Sequence, residues 1–99
     1  MNEATSMREE AEALAIRALG FVAGDPELLP RFLAITGIEA GSIREAAREP
    51  GFLAGVLHFI LAHEPTLLRF CGEAGAAPGS VGRALRALPT GDDTYEHST

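Results

Sequence analysis

Shifting the chain by 38 residues lays it on itself, with residues 14–48 aligned against 52–86 and no gap. Ten pairs are identical under that shift, where about three are expected by chance for a sequence of this composition. They include Leu19/Leu57, Phe21/Phe59, Leu29/Leu67, Phe32/Phe70, Gly37/Gly75, Gly41/Gly79, Ser42/Ser80 and Ala46/Ala84. The matches fall on apolar positions at helical spacing and on turn glycines, the two classes a duplicated fold must keep. This register predicts two copies of a three-helix unit. Neither half is large enough to cover its own apolar face, so the copies are expected to pack into one all-α domain of six helices.

Start and stop signals place the six helices. The first is expected from about Met7 to Ala23, with Ser6-x-x-Glu9 as a capping box and Gly24 as its stop. Asp25-Pro26 opens the second, which ends at Gly37, and Pro30 delays or kinks its first turn. Ser42-x-x-Glu45 caps a short third helix before Pro50. The fourth lies within EPGFLAGVLHFILAHEP, residues 49–65. A fifth starts near Pro65 and stops at Gly75, and a sixth runs from Pro78 or Ser80 to Leu88. The domain is thus expected over 7–88, with flexible acidic ends at 1–6 and 89–99.

The formal net charge of −6 falls in residues 1–12 and 89–99. Residues 1–12 carry Glu3, Glu9, Glu10 and Glu12 against Arg8, and residues 89–99 carry Asp92, Asp93 and Glu96. Residues 13–88 balance seven acids with seven arginines, and the acidic ends weaken the case for nucleic acid without excluding a local contact. Cys71 is the only cysteine, so no internal disulfide framework exists and a reducing cytoplasm is the expected location. The N-terminus is polar and acidic, unlike a signal peptide. The longest uncharged run, Pro50 to His63, falls short of the roughly 20 apolar residues a bilayer requires, so no membrane partner is expected.

No constellation carries catalytic chemistry. His58 and His63, five apart, lie about 140° from each other on a helix, whereas two ligands from one helix need a spacing of three or four. Ser42 and Ser80 follow turn glycines and fit caps, and no base is set beside any nucleophile. No enzyme, metal or cofactor is expected. Cys71 aligns with Leu33 and is expected as a small buried hydrophobe. His63 aligns with the cap residue Asp25 and is expected at a helix junction. Arg31/Arg69 and Arg48/Arg86 recur in both halves and are expected to cover apolar surface with their stems and to bond a nearby helix end or carboxylate.

Two binding hypotheses remain. In the fourth helix, Phe52, Leu53, Val56, Leu57, Phe59, Ile60 and Leu61 span an arc of roughly 200°, wide enough for a central helix. The remaining stripe holds Gly51, Ala54, Gly55, His58 and Ala62, of which the last four are the candidate binding residues of a docking strip for a partner helix, with His58 as its polar mark. Alternatively, glycine and serine spacings around Gly37 and Gly75 fit a helix-turn-helix. The sixth helix then becomes the recognition element, carrying Arg83 and Arg86 with no acid.

The stretches RALGFVAGDPELLPRFLAITGI, EPGFLAGVLHFILAHE and LRFCGEAG resemble a family of short bacterial proteins, domain of unknown function 3572. The resemblance covers about residues 7–88 and implies a small helical cytoplasmic protein. It brings no activity or site residues. His58, Glu64-Pro65 and Pro30 depart from the commoner pattern of that family. The function expected from the residues is a non-catalytic helical interaction or adaptor module, engaging a protein partner or itself; the alternative is a DNA-binding regulator.

Overall fold

The computed structural model describes residues 3–89, which hold six α-helices and no strand. They are α1 (Glu3–Ala23), α2 (Leu28–Thr36), α3 (Ile43–Ala46), α4 (Phe52–Leu61), α5 (Glu64–Ala74) and α6 (Pro78–Ala87), with a 3₁₀ turn at Ala40–Ser42 leading into α3. The tail expectation for 90–99 lies outside the described residues.

The first helix already includes Glu3, four residues before the expected Met7, so Ser6 is interior and the expected capping box does not form. Nothing in residues 3–6 breaks a helix. Residues 3–6, expected as part of a flexible end, are therefore helical. The buried face of α1 is Ala11, Ala15, Ala18 and Val22, at intervals of four, three and four residues. Its small side chains let α4 and α6 pack closely along it, and α2 and α5 complete its surroundings.

Asp25 holds the turn that leads into α2: its Oδ1 accepts the backbone N–H groups of Glu27 at 2.8 Å and Leu28 at 3.0 Å, while the N-cap position of the regular helix falls on Glu27, not on Asp25 as expected. Pro30 has no N–H to return to the carbonyl of Pro26, and regular helix is accordingly delayed to Leu28. The helix closes at Gly37, in the left-handed region at φ 78°, whose N–H donates to the Leu33 carbonyl at 2.8 Å. The α5 helix closes the same way at Gly75, φ 68°. At the third helix the expected capping box is absent: Ser42 sits at the N-cap position but its hydroxyl makes no cap bond. Nor does Ser80 cap α6; it lies inside the first turn and its hydroxyl donates back to the Ala77 carbonyl at 2.6 Å.

The α4 helix is central, packed by α1, α5 and α6, with Phe52, Val56, Leu57 and Ile60 all buried. Around it Phe32 meets Phe52 and Phe59 edge-on, at 6.0 and 5.4 Å between ring centroids, and Phe21 meets Phe70 at 5.5 Å. Such tilted and edge-on pairs suit the ring quadrupoles. The ends of α1 and α4, at 23 and 61, and of α2 and α5, at 36 and 74, stand at the 38-residue offset. The third members differ: α3 has four residues and α6 has ten.

Candidate functional site

The strip on α4 is divided by the packing. His58 and Ala62 are exposed and Gly55 is half-buried, but Ala54 is 6 % exposed and belongs to the core. The side chain of Ala54 is therefore spent on the interior, and the strip as expected from the sequence is interrupted at its N-terminal end. His63 is a helix-junction residue, the N-cap of α5, and its Nδ1 lies 2.7 Å from the buried Thr66 hydroxyl. Among the described residues no three His, Cys, Asp or Glu side chains come together as a metal set. Cys71 is buried, and desolvation pushes its thiol up, away from the reactive thiolate.

A second locus joins α1, α2 and α5. The Arg69 guanidinium donates to Asp25 Oδ2 at 2.8 Å and lies over the Phe21 ring, 5.3 Å from its centroid. Arg17 reaches the last turn of α5, donating to the Ala74 carbonyl at 3.4 Å. Of the four arginines expected to cover apolar surface and bond a helix end or carboxylate, Arg69 makes such contacts, with Phe21 and Asp25. The partner, Asp25, was not legible, because the two lie 44 residues apart. Hydrogen bonds from Arg69 first, then from the N–H groups of Glu27 and Leu28, hold the Asp25 carboxyl at about 2, below its ordinary 3.8. A carboxyl held down in the folded state stabilises the fold above pH 3.8 and loses that contribution as the pH falls through 2. The stability difference between wild type and Asp25→Asn, measured by urea unfolding, is expected to close over this window. A difference constant with pH would remove Asp25 from the acid response.

The third locus is a groove of about 330 Å³ between the N-terminal half of α1 and α6. Ala11, Leu14, Ala84 and Ala87 line it, Met7 lies 57 % exposed along the α1 side, and Glu10 and Arg83 add opposite charges from the two helices. Glu10 and Arg83 do not pair with each other. Arg83 instead lies back along α6, its Nη1 3.5 Å from where a Cβ at Gly79 would stand. Neither Arg83 nor Arg86 makes an ion pair among the described residues. Of these residues the sequence singles out only Arg83, and there as a nucleic-acid contact; Met7, Glu10 and Leu14 are not singled out. Their one signal was an exposed methionine on a helix whose buried face is alanine, and that face becomes visible only when α6 is docked.

Among the described residues no helix is long and apolar enough to cross a membrane. Residues 8–91, most of the chain, match the family described as "Protein of unknown function (DUF3572)". No curated protein and no solved structure matches.

Proposed function

The chain belongs to the DUF3572 family, and from that premise we propose a non-catalytic helical module that binds a protein partner through the α1–α6 groove. The observation that carries this reading is the groove itself: an apolar floor, an exposed methionine and charges of opposite sign that make no ion pair among the described residues, on a face that no other described element covers. Large side chains left in water beside an apolar groove are more typical of an interaction surface than of a bare monomer. The α4 strip is the weaker candidate, since of its four residues only His58 and Ala62 are exposed. A cytoplasmic setting fits the free, buried Cys71.

Co-purification of the full chain from its native cells tests the reading. Met7→Lys and Arg83→Glu are expected to lose a protein, including a tagged second copy, that wild type and His58→Ala both retain. Equal capture by all four sinks the groove.

One observation favours a second reading, DNA binding: a three-residue turn, Gly75–Ala77, leads into α6, whose arginines are exposed and make no ion pair among the described residues. Against it, the acidic start of α1 flanks that helix. Retention on duplex DNA that falls with salt and with Arg83→Glu would favour it over the protein-docking groove. We propose further that the halves arose by duplication, supported by the coincident helix ends and the paired left-handed glycines.

A further inference from the structure

We propose that the occupant of the α1–α6 groove is a second copy of this chain, joined across a two-fold axis; this rests on the groove being a docking site. The two helices lining the groove carry opposite charge. Residues 3–12 of α1 hold four glutamates against one arginine, whereas α6 holds two arginines and no acid. Within the chain Arg8 already pairs with Glu12 at 3.7 Å, so the remaining acids of that turn are uncommitted among the described residues. Glu10 and Arg83 line the same groove from opposite helices without meeting.

A two-fold axis through the groove places α1 of one protomer against α6 of its partner, and the reverse. Glu10 of each then faces Arg83 of the other, which makes the surface self-complementary, as an isologous contact requires. Met7, on the α1 side, packs into the apolar floor contributed by the partner's α1 and α6. The alanines at Ala11, Ala84 and Ala87 keep that floor low enough for two helix pairs to approach.

Sedimentation of the full chain over a range of concentrations and salt tests this. Wild type is expected in a monomer–dimer equilibrium that weakens with salt. Met7→Lys, Glu10→Arg and Arg83→Glu are each expected to weaken it by about tenfold or more, since symmetry counts every substitution twice. Glu10→Arg and Arg83→Glu place like charges together when alone, and combining both in one chain is expected to restore the dimer. Unchanged circular dichroism in each variant separates lost association from lost fold. A chain that stays monomeric at millimolar concentration overturns the proposal, as does a dimer indifferent to all three substitutions. If residues 90–99 are the occupant, the full chain stays monomeric and dimerises only once they are deleted, which overturns the proposal for the full chain. A monomer whose groove variants still lose a different native protein also overturns it while leaving the docking groove intact; no loss of any partner removes both.

Discussion

Phe32→Ala is expected to destabilise the fold by about 3–5 kcal/mol, the range for removing a buried phenylalanine. Phe32 is 1 % exposed, the most enclosed large side chain of α2, and it is the ring on which Phe52 and Phe59 of α4 both converge. Its loss removes apolar burial, two edge-on contacts of about 0.5–1.5 kcal/mol each, and leaves a void that α2 can fill only by moving. The short α2 is tied down elsewhere chiefly by Leu28 and the Asp25 hydrogen bond. A domain of this size has about 5–15 kcal/mol to lose in total, so the variant should be marginal near body temperature. Thermal unfolding with calorimetric enthalpy checks this; a loss under about 1 kcal/mol would mean that α2 does not pack as described.

Leu57→Ala and His58→Ala, adjacent in α4, are expected to differ by several kcal/mol. Leu57 is fully buried where α4 is enclosed by α1, α5 and α6, so its truncation falls in the range of about 2–5 kcal/mol. His58 is exposed and makes no side-chain hydrogen bond among the described residues, which places its truncation within about 0.5 kcal/mol of neutral. Urea unfolding of the two variants with equal m-values separates them. A large cost at His58 would show that the histidine side of α4 is covered rather than open.

Most of the helix inventory was legible because its signals are local. Pro26, Pro30, Gly37, Pro65, Gly75 and Pro78 act on their own and neighbouring backbone groups, and each helix boundary beside them lies where steric and hydrogen-bonding rules put it. The centrality of α4 was legible too, since an apolar arc that wide cannot be satisfied by one neighbour. Cap serines failed as signals. A Ser-x-x-Glu spacing is compatible with a helix interior, as at Ser6, and with a 3₁₀ entry, as at Ser42. Nothing within four residues distinguishes these cases.

The order and all-helical character of the elements were legible in the sequence alone. Those follow from backbone sterics and from apolar periodicity along single segments. Which surfaces remain open was decided only by the tertiary structure. Burial of Ala54 divides the strip around His58, and docking of α6 against α1 raises Met7, Glu10 and Arg83 around one groove. The physical reason is that exposure is a property of pairs of helices: residues 76 positions apart, such as Met7 and Arg83, share a surface only once the packing of alanine on alanine has set the distance between them.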